Sequence, residues 1–239
     1  MRTYLYLAGI VVLVAIGASQ AFALPNAGSA KLFAWIGIPT IVLAGIGVYR
    51  AKLDGELYRR SSFDDGGGLG WLNVRSGDFT RGFAGAAVLF GGAWGFTKIA
   101  MPTGSPRESW LARMYLQLGD PATLRKEVWL VAITLIVMAI AEELLWRGLV
   151  TSLLSEIVGS SRAWVWSAVL YTVAHIPTVW ALKDPVAGYN PMILVAALSC
   201  GLGWGFMARR FERLFPSIVS HALFDWTVLM MFRLWGPSV

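Results

Sequence analysis

The chain has 239 residues, of which 56% are hydrophobic and 14% are charged. This composition is too apolar for a disordered segment or an ordinary soluble domain, and it is typical of an integral membrane protein. The formal net charge is +6, but the basic residues stand singly or in pairs at the ends of apolar runs, where topology signals belong. Membrane topology therefore accounts for the charge, and nucleic-acid binding is not indicated.

About seven apolar runs are long enough to cross the hydrocarbon core of a bilayer, which takes roughly 20 helical residues. They extend approximately over residues 4–24, 32–49, 82–101, 128–146, 163–182, 191–208 and 214–235. The sequence therefore predicts an all-α fold, a polytopic transmembrane bundle of about seven to eight helices. We expect a single integral membrane domain over residues 1–239, with N-terminal spans over about 4–101 and a core with most of the polar residues over about 128–232.

The first apolar run has a second interpretation. Arg2 precedes it and "AFA" stands at residues 21–23, so the segment also resembles a cleavable signal peptide. Its apolar stretch is longer than most signal cores, which favours a retained membrane span.

The connections between the runs predict the orientation. Residues 50–81 contain "DDGGGLG" without the Gly-Lys-Ser/Thr of a phosphate-binding loop, which indicates a flexible linker. If the spans alternate, this segment, Arg162 and the "ARRFER" turn at 208–213 share the more basic side, which we expect to be cytoplasmic. The N-terminus would then be cytoplasmic and the C-terminus outside. Residues 109–120 have apolar residues at helical spacing and predict an amphipathic helix along the outer interface.

Few ionisable side chains fall inside the predicted spans, where an unpaired charge is costly. Lys98 and Arg233 stand near span ends and can reach the interface with their long stems. Cys200, the only cysteine, has no partner for a disulfide or a metal site. The remaining six ionisable residues are Glu142, Glu143, Arg147, His175, His221 and Asp225.

The acidic pair is divided by helical geometry. Glu143 and Arg147 are four residues apart and share a face, in the favourable order for an ion pair. Glu142 is turned away by about 100° and has no partner on its own helix. Two interpretations follow: the glutamates mark a helix end at the lipid headgroups, or Glu142 is kept unpaired for chemistry.

The two histidines favour the second interpretation. His175 has Tyr171 one turn before it, and His221 has Asp225 one turn after it. A lone membrane histidine is usually an interhelical hydrogen-bonding residue, whereas two of them beside a free glutamate and an aspartate fit a site. Pro177 should weaken the helix beyond His175 and open room for water or substrate.

This set of groups fits peptide hydrolysis, which needs a base to activate water and a donor to hold the oxyanion. Glu142 is the candidate base, His175 positions the same water, and His221 is the candidate donor. The same atoms also suit a zinc ion with an open position, although no His-Glu-x-x-His pair is present. A proton-coupled transporter is a further alternative, against which stands the lack of an internal repeat.

Three motifs carry a family resemblance. "EELLWR" (142–147), "YTVAH" (171–175) and "HALFD" (221–225) resemble, in order, the Glu-Glu-x-x-x-Arg, Phe-x-x-x-His and His-x-x-x-Asn/Asp motifs of the CAAX-protease and bacteriocin-processing (CPBP) family of intramembrane endopeptidases. The resemblance covers about residues 128–232. It implies a glutamic-type protease without a cofactor, in a bacterial or archaeal cell membrane, that cleaves a membrane-anchored protein or peptide near its C-terminus. A non-catalytic immunity or scaffold protein with the same fold stays open as an alternative.

The resemblance also implies residue roles. Glu142 and His175 would activate the water, His221 and Asp225 would stabilise the oxyanion, and Glu143 with Arg147 would form the supporting ion pair. Two positions depart from the commoner pattern. Tyr171 stands where phenylalanine is commoner and adds a hydroxyl. Asp225 stands where asparagine is common, and because an ionised aspartate cannot donate to an oxyanion, we expect it to be protonated, to orient His221 or to bind a metal.

Overall fold

The computed structural model describes residues 2–54 and 72–231, and within these ranges it contains helices but no extended strand. The predicted all-α helix bundle is therefore confirmed. The "DDGGGLG" linker, Arg233 and the end of the last predicted span lie outside the described residues.

The described residues form eleven α-helices in the following order. They are α1 (Arg2–Ala21), α2 (Ala30–Asp54), α3 (Asp78–Ala100), α4 (Glu108–Leu118), α5 (Pro121–Lys126), α6 (Val128–Glu143), α7 (Thr151–Val158), α8 (Ser160–Ala174), α9 (Thr178–Ala181), α10 (Met192–Phe211) and α11 (Phe215–Trp226). A π-helical segment, Leu144–Val150, joins α6 to α7, and a second one, Thr227–Met231, follows α11.

Five of the described helices are long and apolar enough to span a bilayer. These are Arg2–Ala21, Ala30–Arg50, Asp78–Ala100, Val128–Val158 and Met192–Phe211. They support an integral membrane protein.

The fourth predicted span was wrong at its end, because the helix does not stop at Trp146. It continues through the π-helical segment to Val158, a length of 31 residues. It ends at Gly159, whose φ of +80° lies in the region that favours glycine. Glu142 and Glu143 therefore lie in the middle of a long helix, which contradicts the interpretation that they mark a helix end.

Another predicted span is shorter than expected. The run over 163–182 is divided, because α8 ends at Ala174 and only the single turn of α9 follows. Pro177 explains this division, since proline has no N–H to continue the helical hydrogen bonds. The run over 214–235 is helical from Phe215 onward in the part that the structure describes, as α11 followed directly by the π-helical segment up to Met231.

The predicted amphipathic helix is present as α4, with Leu111, Tyr115 and Gln117 buried. The Tyr115 hydroxyl donates to the carbonyl of Val228 at 3.4 Å, and Gln117 Nε2 donates to the carbonyl of Ala21 at 3.1 Å. These bonds fasten α4 to the bundle.

The long helix at 128–158 is the centre of the bundle. α2 packs along α6 and the π-helical segment, α11 packs against α6 and α3, and α8 packs against α10 and α7. Leu145, Trp146 and Val150 of the π-helical segment are almost completely buried. The core of the protein therefore surrounds the acidic motif.

A buried ion pair joins two of the connections that the sequence places on one side. Asp78, at the start of α3, is completely buried and accepts from Arg213 Nη2 at 2.7 Å and from Arg81 Nη1 at 3.1 Å. Residues 72–81 and the 208–213 turn therefore do lie on the same side of the bundle. Because Arg213 is paired with the buried Asp78, it stabilises the fold, and its charge is not simply one of the unpaired basic residues that set membrane topology.

Candidate active site

The π-helical segment shapes the site. In its wider turn, hydrogen bonds join residues five apart, and the backbone N–H of Thr151 donates to the carbonyl of Trp146. The same carbonyl also accepts from the hydroxyls of Thr151 at 2.8 Å and Ser167 at 2.7 Å. Such segments are frequent at functional sites, and this one follows Glu142 and Glu143 directly and carries Arg147.

Glu143 is held from two directions. Its Oε1 accepts from Arg147 Nη1 at 3.0 Å, which is the predicted ion pair, and also lies 3.0 Å from Nδ1 of His221. The side chain of Glu143 is completely buried, and its Oε2 has no hydrogen-bond partner among the described residues. Glu143 therefore joins the first motif to the third, a contact that the helical-face argument did not include.

Arg147 makes further contacts across the bundle. Its Nη2 donates to the carbonyl of Gly201 at 3.3 Å, and its guanidinium lies over the rings of Tyr171 and Trp204 at 5.2 and 5.3 Å. A Cβ on Gly201 would stand 3.2 Å from Cβ of Ala168, so the glycine lets α10 approach α8 closely. These contacts distribute the arginine charge over an acidic group and two ring faces.

His221 is oriented on both nitrogens and on its ring face. Because the Glu143 carboxylate only accepts, Nδ1 of His221 is the donor in their bond. Its Nε2 lies 3.5 Å from Asp225 Oδ2 and 3.9 Å from Glu142 Oε2. The ring stacks on Trp204 with the centroids 3.6 Å apart. The predicted orientation of His221 by Asp225 alone is therefore incomplete, because the hydrogen bond to Nδ1 comes from Glu143.

Trp204 is a site residue that the sequence reasoning missed. It is 2% exposed, and its Nε1 donates to Ser220 Oγ at 3.2 Å. This bond fixes the indole plane against the imidazole. The chain has 12 tryptophans, and nothing in the sequence around Trp204 distinguishes it from the others, so no sequence signal was available.

Glu142 has a partner on α8 and none on its own helix. Its Oε2 accepts from the Tyr171 hydroxyl at 2.8 Å. The tyrosine that replaces the commoner phenylalanine therefore contacts the candidate base directly. With one carboxylate oxygen held in this way, the other is left for a water or substrate atom.

His175 lies at the C-terminal end of α8, where the helix end determines its tautomer. The backbone N–H of His175 donates to the carbonyl of Thr172, so the carbonyl of Tyr171 is left for Nδ1 of His175, at 2.8 Å. Since a carbonyl only accepts, Nδ1 carries the proton, and the neutral ring has an acceptor at Nε2.

A narrow cavity adjoins this half of the site. Glu142, Trp146, Tyr171 and His175 line one side of it, and side chains from α1 and α2 line the other. About 20 Å³ of it is open to the centre of a water-sized sphere, and one water needs roughly 10–15 Å³ by this measure. Glu142 and His175 thus border a space for about one water. His221 does not line this cavity, but its Nε2 lies 3.9 Å from Oε2 of Glu142.

The candidate zinc ligands of the sequence are Glu142, His175, His221 and Asp225. Among the described residues, no three His, Cys, Asp or Glu side chains are arranged to hold a metal ion. The arrangement does offer a carboxylate and an imidazole acceptor beside a water-sized space, with a second imidazole 3.9 Å from that carboxylate. These are groups of the kind that hydrolysis of an amide requires.

Comparison with known proteins supports the same assignment. Residues 124–227 match the family model described as type II CAAX prenyl endopeptidase Rce1-like. The matched segment is somewhat less than half of the chain and contains all six polar site residues. Neither the curated proteins nor the solved structures gave a match. The resemblance carried by the three motifs is thereby confirmed over residues 124–227, which are similar to the Rce1-like CAAX-protease family.

Proposed function

We propose that this chain is a glutamic-type intramembrane endopeptidase that hydrolyses a peptide bond of a membrane-anchored substrate near its C-terminus. One observation supports this proposal above the others. Glu142 and His175 border one water-sized cavity, and Nε2 of His221 lies 3.9 Å from the Glu142 carboxylate. A base, a water-orienting acceptor and an oxyanion donor therefore lie within reach of one reacting centre.

The proposed reaction begins with the water in the cavity. The carboxylate of Glu142 takes one proton as the water oxygen bonds to the substrate carbonyl carbon, and Nε2 of His175 accepts a hydrogen bond from the other O–H. His221 is an imidazolium in this mechanism, because its Nδ1–H already donates to Glu143, and the oxyanion formed from the carbonyl oxygen accepts from its Nε2–H. Glu142 then gives its proton to the amide nitrogen, the C–N bond breaks, and the products are a carboxylic acid and an amine.

Asp225 has a supporting role in this mechanism. Its Oδ2 lies 3.5 Å from Nε2 of His221, where it is an acceptor for the N–H that later meets the oxyanion. The exposed fraction of the side chain rises from 0% in Glu143 through 12% in Glu142 to 32% in Asp225. Substrate therefore approaches from the Asp225 side, while Glu143 holds His221 from behind.

The mechanism needs no cofactor. The partners it implies are the lipid bilayer, from which the substrate arrives, and a membrane-anchored protein or peptide. With the N-terminus in the cytoplasm, as the basic connections predict, the 208–213 turn faces the same compartment.

The proposal is tested by comparing the C-termini of membrane proteins by mass spectrometry. Membranes carrying the wild-type chain are compared with membranes carrying Glu142→Gln, and Glu127→Gln is the matched control, because Glu127 is an exposed glutamate at the start of α6. We expect shortened C-termini in the wild-type and control membranes only. If membranes carrying Glu142→Gln had the same C-termini as membranes carrying the wild-type chain, the proposal would be contradicted.

A further inference from the structure

The wall of the cavity opposite the catalytic side chains comes from outside the matched segment. Six of the ten lining residues belong to α1, to the turn that follows it and to α2: Val14, Ala18, Phe22, Trp35, Ile36 and Thr40. Five of these six side chains are hydrocarbon or aromatic. A water in the cavity therefore meets polar partners mainly on the side of Glu142, Tyr171 and His175.

A specific contact holds α1 against α2 beside this wall. Pro39 lies inside α2 and has no N–H for the carbonyl of Trp35. A Cβ on Gly17 of α1 would stand 2.6 Å from that carbonyl oxygen and 3.6 Å from Cγ of Pro39. Only glycine allows this approach, which is the close packing that small residues permit between membrane helices. Thr40 Oγ1 donates to the carbonyl of Ile36 at 2.7 Å and strengthens the same turn.

From this geometry we infer that the α1–α2 hairpin completes the active site by holding a single hydrolytic water against Glu142 and His175. The identity of this water as the nucleophile rests on the proposed function. Among the side chains of this wall only the Thr40 hydroxyl, which donates to the carbonyl of Ile36, can accept a hydrogen bond. The two protons of the water are therefore directed mainly to the Glu142 carboxylate and to Nε2 of His175. The Rce1-like segment alone is then an incomplete site, and residues without any motif determine where the water lies.

The first test fills the cavity from α1. Ala18 is 4% exposed and lines the cavity, so Ala18→Leu places three additional carbons in a space for one water. Ala34→Leu is the matched control, because Ala34 is exposed on α2. We expect the release of C-terminal fragments in membranes to fall by about 100-fold with Ala18→Leu and to stay unchanged with Ala34→Leu.

A second variant and two further measurements distinguish a filled cavity from a misfolded protein. Ile36→Phe fills the same cavity from α2, and thermal unfolding in detergent shows whether each variant keeps its fold. The chain has only two histidines, so protein labelled with ¹⁵N-histidine gives two imidazole signal sets. We expect both filling variants to change the Nε2 resonance of His175 and to leave that of His221 in place.

The outcomes separate this inference from the proposed function. Folded Ala18→Leu and Ile36→Phe proteins that cleave like the wild type, while Glu142→Gln is inactive, would overturn the role of the hairpin and leave the proposed function intact. Cleavage by Glu142→Gln would overturn the proposed function. In that case the His175 resonance still decides whether the hairpin encloses a water there, and an unchanged resonance in both filling variants overturns the inference.

Discussion

The two histidines lie in opposite kinds of environment. His221 is 3% exposed, bonded to Glu143, stacked on Trp204 and close to Asp225. His175 lies at a helix end, has one hydrogen bond to a backbone carbonyl, and faces a cavity. The half of the site around His221 is therefore fixed before substrate arrives, whereas the half around His175 has room for a reactant. Catalytic sites need both, because fixed dipoles stabilise developing charge and an open space admits the nucleophile.

The largest effect is expected from the fixed half. Glu143→Ala removes the partner of both Arg147 and His221 and leaves a buried arginine unpaired, which costs about 3–5 kcal/mol in comparable buried pairs. We expect a much lower thermal unfolding temperature in detergent, together with loss of cleavage.

Glu142→Ala is the matched variant in the open half. It should abolish cleavage with little change in unfolding temperature, because Glu142 borders a cavity and its carboxylate accepts one hydrogen bond within the described residues, from the Tyr171 hydroxyl. If the two variants unfold at the same temperature, the division of the site into a fixed and an open half is incorrect.

Trp204→Leu is expected to have the next largest effect. The indole of Trp204 stacks on the imidazolium of His221. A buried cation–π contact of this kind is worth about 2 kcal/mol, which corresponds to roughly 30-fold in kcat. Since Trp204 contacts His221 and not the cavity, we expect kcat to fall while KM stays the same. Trp204→Phe keeps a ring face and should recover part of the rate.

Trp166→Leu is the control for this variant, because Trp166 is 49% exposed on α8. An equal fall in kcat with Trp166→Leu, or an increase in KM with Trp204→Leu, would show that the stack on His221 does not position the oxyanion donor.

Tyr171→Phe should have a smaller effect, of about tenfold, because it removes one hydrogen bond to a charged group, worth about 1.5 kcal/mol. The cavity water can replace part of that bond. Cleavage rates and unfolding temperatures are compared with those of Tyr189→Phe, an exposed tyrosine. A variant with the full wild-type rate would mean that the hydroxyl does not hold Glu142 in its working position.

Contacts within one helix could be predicted from the sequence, and contacts between helices could not. The Glu143–Arg147 pair follows from the spacing of four residues, and the end of α8 follows from Pro177. The bond between Glu143 and His221 joins residues 78 apart in sequence, and the stack of Trp204 on His221 depends on how α10 and α11 pack. No local pattern carries such information.

The errors in span boundaries have a related cause. Hydropathy measures how apolar a segment is, so it gave Trp146 as a helix end although the backbone continues through a π-helical turn to Val158. The α1–α2 wall was missed for the same reason, because its residues are apolar and resemble any membrane span. Only their position across a cavity from Glu142 gives them a role.

The smallest effect is expected from metal removal. A tetrahedral zinc ion would need ligand atoms about 2.0–2.2 Å from the metal, and no three His, Cys, Asp or Glu side chains of the described residues are grouped in that way. The nearest to such a group is Nε2 of His221 with Asp225 at 3.5 Å and Glu142 at 3.9 Å. However, Oε2 of Glu142 already accepts from Tyr171 at 2.8 Å, and a metal bound there would have to displace the hydroxyl. We therefore expect protein purified with a chelator to keep its cleavage rate, with bound metal measured by elemental analysis. Activity that disappears with the metal and returns with stoichiometric zinc would replace the glutamic mechanism and make Asp225 a ligand.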